Sequence, residues 1–550
     1  MSRLTHTNGF MLPLTFLKLT SGFVLLVCAM TSTTLVTNRS MLKHKCEWEE
    51  THIERPERLR IILDCLDKND VCEGFSRVEG KPAEMEDILL VHEKEYVAEM
   101  KRVCKRPINE IENYCSQCED VYINNATYEC ALLSAGSCIQ ALKSVVGQSG
   151  RNAFAAVRPP GHHAWQNAAC GFCIFNNVAI CAKKALQMGS KRVLIVDWDV
   201  HAGQGTQYCI ANDSRIRLVS SHRYEDGKFW PNLPESAIRN DYTNTINLPL
   251  NETGYGDAEY VYFLNALILP IIHDFQPDLI LVSCGFDAAL GDPEGEMKIT
   301  PAGYGYLLGC IASLEIPLCV ILEGGYFLES VKESFKFCME ALVAKKPPLS
   351  LRLDAPSEVF TDQVQRVMLT QHAEFPTVKL LVNALRRKRD LEGKPPVALL
   401  QRECYGEKEV STPPFPTRDL YPPRPENVEK YFENAIKELV DSYDKKRQMP
   451  RAMESIFIQA EKKLICLKFG DREAHIDNPS RGDLIVIYFL VLQFLKGDFD
   501  GIEVHLNKRM VSFPISQKHF VDFLLPNVDI SETPEISTSL VLFAAELKCL

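Results

Sequence analysis

The sequence predicts an α/β fold with a doubly wound, open parallel sheet. Short apolar segments with the length of buried strands alternate with helical segments along much of the chain. Five of these strand segments run directly into a polar or glycine-rich turn: 153–157, 193–197, 216–220, 279–284 and 319–322. Because doubly wound sheets bind ligands beyond the carboxyl ends of their strands, the five turns mark the expected functional site.

Composition limits the classes of function. A chain of 550 residues that is 46% hydrophobic can bury at least one large core, and its length indicates two or three domains. The net charge of −11 argues against a nucleic-acid-binding surface spread over the whole protein. The 20 cysteines are scattered through apolar runs, which indicates buried thiols in a reducing compartment, the cytoplasm or the nucleus.

The domain boundaries follow from shifts in composition. Residues 19–37 carry no charge and barely reach the length of a membrane span. A signal peptide or an anchor is one reading of this run, and we favour the alternative in which 33–37 is the first strand. We expect an apolar extension over 1–32, the main domain over 33–385, a linker rich in proline and charge over 386–427, and a small α/β or α+β domain over 428–550.

Helices are predicted between the strands by apolar residues at helical spacing. The first starts near Glu54-Arg-Pro-Glu-Arg58, and others cover about 131–146, 177–188 and 357–372. In the last domain we expect helices over 428–443 and 453–464, a buried apolar run over 484–495 and a strand over 501–506.

The segment Val193-Leu-Ile-Val-Asp-Trp-Asp-Val-His201 organises the rest of the chain. Asp197, Asp199 and His201 stand at alternate positions, so they point to one side of an extended chain. A carboxylate and an imidazole, here from Asp199 and His201, are ligands that zinc or a similar divalent ion accepts. The alternative is that these acids only cap the next helix.

Polar residues at the other strand ends favour the metal site. A metal site needs a third protein ligand, and Asp287 follows an apolar strand in a Gly-Phe-Asp turn. Three protein ligands would leave one position open for water and substrate, as catalytic zinc sites do. Eight polar residues are expected together at the carboxyl edge of the sheet: His162, His163, Asp197, Asp199, His201, Gln204, Asp287 and Tyr326.

Five motifs resemble the zinc-dependent histone deacetylase family, class II, and most of all class IIb. They are Arg158-Pro-Pro-Gly-His-His163, Gly171-Phe-Cys-Ile-Phe-Asn-Asn177, Asp197-Trp-Asp-Val-His201, Gly285-Phe-Asp287 and Leu322-Glu-Gly-Gly-Tyr326. The resemblance implies an arginase/deacetylase-type sheet, hydrolysis of an N-acetyl amide and two kinds of ion. Zn²⁺ would be held by Asp199, His201 and Asp287, and K⁺ by Asp197, Asp199, His201 and Ser220.

The resemblance also implies a division of labour between two histidines. Asp197 would face His162 and favour its charged form, whereas neutral Gln204 behind His163 would leave that ring free to take a proton. We therefore expect His163 to act first as the general base and later as the general acid. Tyr326 would donate to the oxyanion, and a tyrosine at this position, where class IIa relatives have histidine, predicts activity on acetyl substrates.

Other residues are expected to form the walls and rim of a substrate channel. In the family, aromatic residues at the positions of Phe172, Phe229 and Trp230 line this channel, and Gly171 precedes the first of them. Relatives also place a rim acid that grips the substrate backbone where Glu119 and Asp120 stand. The sequence does not decide between these two acids.

Some positions depart from the class II pattern. Ala202 replaces the second histidine that usually follows the zinc strand, which we expect to tune activity. Glu294 stands where acetylpolyamine deacetylases place a gatekeeper glutamate, and a carboxylate about 4 Å from an ammonium group gains roughly 1 to 4 kcal/mol. The Pro-Glu-x-Cys turn that narrows the pocket of those enzymes is missing, because this chain has Glu49-Glu-Thr-His52 there.

The first prediction for function is therefore removal of acetyl groups from lysine side chains of histones or other proteins. Deacetylation of acetylpolyamines such as N8-acetylspermidine is the alternative. A catalytically inactive acetyl-lysine-binding corepressor scaffold is the second alternative, and an intact ligand set with Tyr326 speaks against it. The partners expected are the acetylated substrate and corepressor proteins, without direct contact to nucleic acid or membrane.

Overall fold

A computed structural model gives the structure of the chain. It describes residues 32–348, 351, 353–398 and 412–447 with their side chains, up to residue 445 in the last helix. Seven further strands are described by their backbone alone, at 15–18, 24–27, 454–459, 464–469, 472–477, 502–506 and 509–513.

The main body is built on one sheet of eight parallel strands, as the sequence predicted. Its strands are β3 (Thr33–Thr37), β4 (Phe75–Glu79), β5 (Asn152–Ala155), β6 (Val193–Asp197), β7 (Ile216–Arg223), β8 (Thr245–Leu250), β9 (Leu279–Cys284) and β10 (Leu318–Leu322). Their order across the sheet is β4-β3-β5-β10-β9-β6-β7-β8. The five strands that the sequence singled out are contiguous at its centre.

Helices cover the sheet. Those of the main body are α1 (Glu57–Asp67), α2 (Met85–Ile88), α3 (Lys94–Val103), α4 (Ile108–Cys115), α5 (Thr127–Val145), α6 (Asn177–Gln187), α7 (Gln204–Cys209), α8 (Asp257–Phe263), α9 (Leu269–Phe275), α10 (Pro301–Ala312), α11 (Leu328–Ala344), α12 (Glu358–Gln371) and α13 (Pro376–Leu391). Central strands such as β6 and β9 are buried at every position because helices lie on both faces. The buried centre brings the carboxyl ends of five strands together.

The ends of the chain differ in part from the sequence prediction. The strand expected over 33–37 is β3, and β1 (Thr15–Lys18) pairs antiparallel with β2 (Val24–Val27) before it. In the described part of the chain, no helix has the length and apolar character needed to cross a bilayer. Helix α13 extends into the region predicted as linker, to Leu391.

The C-terminal region contains helix α14 (Glu426–Arg447), where a helix was predicted. The helix expected over 453–464 is wrong, because the structure has strands β11 (Glu454–Gln459) and β12 (Leu464–Phe469) there. They form a five-stranded sheet with β13 (Arg472–Asp477), β14 (Ile502–Leu506) and β15 (Arg509–Phe513). The strand expected over 501–506 is β14, and the apolar run at 484–495 lies outside the described residues.

Candidate metal centre and substrate channel

Two adjacent strands bring three metal-binding side chains together. Asp199 and His201 follow β6, and Asp287 follows β9, which pairs with β6 in parallel register. One ligand atom from each of the three residues lies within 4.8 Å of the others, and all three side chains are buried. The sequence predicted that Asp199 and His201 lie on an extended chain, but β6 ends at Asp197 and both residues lie in the bends that follow it.

The surroundings of Asp287 fit a cation. Its Oδ1 accepts a hydrogen bond from the Val200 amide at 2.8 Å. Its Oδ2 is buried, lies 3.4 Å from His201 Nδ1 and receives no hydrogen bond from the described residues. Burial and the neighbouring Asp199 charge raise the pKa of Asp287 to about 7. Two buried carboxylates and an imidazole at this spacing match the donor set of a divalent ion such as zinc.

Glycine at position 324 leaves room for the two carboxylates. The Gly324 amide donates to Asp199 Oδ2 at 2.8 Å. A Cβ at this position would lie 2.1 Å from Asp287 Oδ2 and 2.7 Å from Asp199 Oδ2. Any larger residue at 324 would displace the ligands, which explains a glycine between Glu323 and Tyr326.

The two neighbouring histidines have different electrostatic environments. His162 Nδ1 lies 3.1 Å from Asp197 Oδ2, and its Nε2 lies 3.5 Å from Asp199 Oδ1. Burial alone would lower the pKa of His162, but these two carboxylates outweigh it and raise the pKa to about 10.

His163 instead donates from Nδ1 to Gln204 Oε1 at 2.7 Å. Burial and the positive charge of His162 hold the pKa of His163 well below its usual value. The two imidazole rings lie side by side with centroids 3.9 Å apart, and their surroundings shift their pKa values in opposite directions.

Tyr326 is held beside the ligands by two buried charged residues. The Arg58 guanidinium lies 5.1 Å from the centre of the Tyr326 ring and donates to the carbonyl oxygens of Glu323 and Gly325. Asp292 accepts hydrogen bonds from the amides of Tyr326 and Phe327 at 2.6 and 3.1 Å. The turn that carries Tyr326 is therefore fixed from both sides.

Arg58 belongs to a buried ion network that also reaches the histidine loop. Glu54 pairs with Arg58 at 2.7 Å and accepts from Arg158 at 2.6 and 2.7 Å, and all three side chains are inaccessible to solvent. Tyr122 donates to Glu54 in the same network. The network ties α1 to the loops after β5 and β10.

Aromatic rings form a wall around the ligand cluster. The Phe172 ring lies 5.9 Å from the Tyr326 ring, and the Trp230 ring lies 4.6 Å from that of His163. Phe229 stacks on His201 at 5.3 Å. Gly171, with a φ of +49°, allows the close approach, because a Cβ there would lie 2.5 Å from Trp230.

The rim carries acidic groups with different partners. Glu119 accepts from the Trp230 indole at 3.1 Å, whereas Asp120 accepts from the Tyr421 hydroxyl at 2.8 to 2.9 Å. Glu294 is half-exposed. Burial is the main cause that raises the pKa values of Asp120, Tyr326 and Tyr421, and the negative charge of Glu294 raises them further. Glu294 is therefore close enough to Asp120 for their charges to interact.

Ser220 lies within the sheet, on strand β7. It pairs with Asp197 across β6 and β7, and its Oγ lies 2.9 Å from His222 Nδ1. The structure thus brings the predicted ligand, histidine and aromatic residues around one centre and leaves Ser220 beneath it.

Sequence reasoning missed the residues that hold the site in place. Glu323 accepts hydrogen bonds from the amides of Gly161 and His162 at 2.7 and 3.2 Å. The sequence placed Glu54 and Arg58 only at the start of a helix, gave no role to Asp292, and put Tyr421 in the expected linker. A charged residue inside an otherwise apolar helix face, such as Arg58, was the available signal for the buried network.

Comparisons with known proteins identify the family of the chain. The model of the histone deacetylase domain matches residues 52–342. The human protein named polyamine deacetylase HDAC10 is 38% identical over 381 residues, which cover 67% of this chain and 57% of that protein. The histone deacetylase HDA1 of Candida albicans is 35% identical over 354 residues, 60% of this chain and 42% of that protein.

A solved structure is also similar. The crystal structure of the HDA15 HD domain superposes with a TM-score of 0.58 at 32% identity, covering 65% of this chain and 99% of that domain. The chain spans between 52% and 57% of the length of the human, mouse and zebrafish polyamine deacetylases. Matching motifs, sheet and family model together confirm the resemblance in the sequence: the chain belongs to the histone deacetylase family.

Proposed function

We propose that the protein is a zinc-dependent deacetylase that hydrolyses the N-acetyl amide at the end of an alkylamine chain. The observation that carries the proposal is the convergence of Asp199, His201 and Asp287 beside a charged and a neutral histidine. An acetyl-lysine-binding scaffold would need neither the ligands nor Tyr326. Bound zinc would polarise the acetyl carbonyl and lower the pKa of water.

The side chains of the site divide the proton transfers. His163, neutral and with Nδ1 engaged by Gln204, takes a proton from the attacking water through Nε2 and later gives it to the leaving amine. His162 stays charged against Asp197 and stabilises negative charge as it develops. Tyr326 donates to the oxyanion of the tetrahedral intermediate. The products are acetate and the free amine.

The channel residues position the substrate. Phe172, Trp230 and Phe229 give an apolar surface that suits the carbon chain of the amine and keeps bulk water from the reacting amide. Because Gly171 has no side chain, it leaves space for Trp230 to pack against His163. Both candidate rim acids already accept a hydrogen bond within the chain, Glu119 from the Trp230 indole and Asp120 from the Tyr421 hydroxyl, so we assign neither of them to the substrate backbone.

Acetylpolyamine is the substrate that the rim supports best. We place Glu119, Asp120 and Glu294 at the rim, and a polyamine carries ammonium groups that such acids attract. The relatives named polyamine deacetylase support this choice. The sequence had placed acetyl-lysine of histones or other proteins first, and relatives named histone deacetylase keep it as the second candidate, with corepressor proteins as partners.

We further propose a K⁺ ion below the zinc site, bound by Asp197, Asp199, His201 and Ser220. The parallel register of β6 and β7, which places Asp197 opposite Ser220, supports this assignment. We infer a cytoplasmic or nuclear location, supported by sixteen described cysteines that are all free thiols.

The test is acetate release by the purified full chain loaded with zinc. N8-acetylspermidine and an acetyl-lysine peptide are compared at equal enzyme concentration. We expect hydrolysis that a chelator abolishes and added zinc restores, with the larger kcat/KM for acetylspermidine. Zinc-loaded protein that releases acetate from neither compound would contradict the proposed function.

A further inference from the structure

A proline-rich segment of the expected linker crosses the rim of the site. Residues 412–425, here called the strap, lie far from the catalytic motifs in sequence. In the structure their contacts run from the loop after α4 to the loop after β9. The proposed function does not use the strap, so its presence at the rim calls for a separate explanation.

The first half of the strap is fastened by hydrogen bonds. The Phe415 amide donates to the Ser116 carbonyl at 2.7 Å, and the Trp48 indole donates to the Thr417 carbonyl at 2.8 Å. Arg418 donates to both carboxylate oxygens of Glu112 at 2.6 and 2.8 Å. This half is thereby held against α4 and the loop that precedes α1.

The second half is fastened on both sides of Tyr421. The buried Glu49 carboxylate accepts from the amides of Leu420 and Tyr421, each at 3.0 Å. Arg424 donates to the Gly291 carbonyl at 2.7 Å, and its guanidinium lies 5.7 Å from the centre of the Phe327 ring. Tyr421 therefore has a defined position between two anchors.

Tyr421 contacts residues that the sequence placed at the rim and in the wall of the substrate channel. The Tyr421 hydroxyl lies 2.9 and 2.8 Å from the two carboxylate oxygens of Asp120. Its ring lies 6.0 Å from that of Phe172 and 4.9 Å from that of His52, in edge-to-face contacts. Since Phe172 in turn contacts Tyr326, only one ring separates Tyr421 from the proposed oxyanion donor.

This arrangement affects two kinds of substrate differently. A polypeptide continues on both sides of its acetylated lysine, so it needs space at the rim and partners for its main-chain amides. The strap takes up that space, and the Asp120 carboxylate already accepts a hydrogen bond from Tyr421. An acetylated alkylamine extends out of the channel as a single narrow chain, so it needs neither additional space at the rim nor partners for main-chain amides.

We propose that Tyr421 is a specificity-determining residue that completes the channel rim and favours a slender acetylated alkylamine over acetyl-lysine within a polypeptide. The proposal rests on the proposed deacetylase function. It also gives a role to Glu49 and His52, which stand where polyamine-specific relatives were expected to carry a narrowing turn. Here these two residues hold the strap instead.

The test compares two probes that share the reacting end. N-acetyl-1,5-diaminopentane has the acetyl amide and carbon chain of acetyl-lysine without its carboxyl group, and the second probe is acetyl-lysine inside an uncharged hexapeptide. The kcat/KM of each is measured with the zinc-loaded full chain. The variants are Tyr421→Ala and Tyr421→Phe, with Tyr431→Ala as the control, because Tyr431 is a 68% exposed tyrosine on α14.

We expect Tyr421→Ala to shift the amine-to-peptide ratio of kcat/KM about tenfold towards the peptide. Tyr421→Phe, which keeps the ring and frees Asp120, should shift it roughly threefold, as fits the net contribution of one hydrogen bond. Tyr431→Ala should leave the ratio at the wild-type value. If Tyr421→Ala fails to fold, Tyr421→Phe decides, because it removes a single oxygen atom.

Two results would overturn the proposal. If both Tyr421 variants keep the wild-type kcat/KM for each probe, Tyr421 has no part in substrate selection. If kcat/KM falls by the same factor for both probes, Tyr421 is a structural residue. Wild-type protein that hydrolyses neither probe would show instead that the proposed function has failed, and the role of Tyr421 would fall with it.

Discussion

The floor and the rim of the candidate site are built in different ways. The floor consists of turns that directly follow the central strands of one buried sheet, and its ligands, histidines and tyrosine are fixed by hydrogen bonds with little exposure. The rim consists of loops and the strap, which come from residues 49–52, 112–120, 291–294 and 412–425. The sheet thus positions the residues to which we assign the chemistry, whereas segments distant in sequence form the rim to which we assign the choice of substrate.

Loss of a ligand at the floor should have the largest effect. Asp287→Ala removes one of three ligand atoms, so we expect loss of bound zinc and a decrease in kcat of about a thousandfold or more. Zinc content by atomic absorption and acetate release measure the two effects. Asp390→Ala is the matched control, since Asp390 is an exposed aspartate on α13. Full activity of Asp287→Ala would show that the floor does not bind the catalytic metal.

The buried network under the floor should govern stability. Glu54→Gln leaves Arg58 and Arg158 buried without their carboxylate, which costs on the order of 3 to 5 kcal/mol in free energy of unfolding. Chemical denaturation at pH 7 measures the loss. An unchanged free energy of unfolding would mean that the two arginines find other partners.

The pH dependence of that loss has a defined direction. Burial would raise the pKa of Glu54, but Arg158 and Arg58 outweigh it and hold the pKa well below its ordinary value of 4.5. A carboxylate with a depressed pKa in the folded state stabilises the fold above its unfolded pKa, and this contribution is lost as the pH falls through the folded value. We therefore expect the difference between wild type and Glu54→Gln to be full above pH 4.5 and to shrink below it.

Loss of the Tyr326 hydroxyl should lower turnover without affecting the binding of zinc. Tyr326→Phe removes the proposed oxyanion donor while the ring stays packed on Phe172, so we expect kcat to fall about a hundredfold with zinc content unchanged. Steady-state kinetics on acetylspermidine measure the effect. Full turnover in this variant would exclude Tyr326 from the mechanism.

A charge at the rim should have a smaller and selective effect. Glu294→Leu removes a carboxylate near the opening, so we expect the ratio of kcat/KM for acetylspermidine to that for an acetyl-lysine peptide to fall by roughly tenfold. Raising the salt concentration should reduce the same ratio in the wild type, because exposed charges are screened. If the substitution leaves the ratio unchanged, Glu294 has no gatekeeper role.

The difference between floor and rim also explains what the sequence could predict. Asp197, Asp199, His201 and Asp287 stand within short motifs at strand ends, and parallel strands bring such ends to one edge whatever the loops do. The fold class followed from the same pattern. The choice between Glu119 and Asp120 could not be made from sequence, because it depends on hydrogen bonds to Trp230 and Tyr421.

Other features depended on long-range contacts or ambiguous patterns. Tyr421 lies in a proline-rich stretch whose composition is that of a linker, and its contact with Asp120 spans 301 positions. The helix expected over 453–464 failed because short apolar runs fit both helical and strand periods, and β11 contains Ile-Phe-Ile, which favours a strand. Arg58 gave a polar signal in a helix, but besides the nearby Glu54 its buried partners are the carbonyl oxygens of Glu323 and Gly325, which are distant in sequence.

The most direct test of the account is a crystal structure of the zinc-loaded protein with anomalous data at the zinc edge. We predict one strong anomalous peak bonded to Asp199, His201 and Asp287, with the Tyr326 hydroxyl facing its open side. A peak at other residues, or one beyond the reach of Tyr326, would contradict the claim that these strand ends form a hydrolytic metal centre.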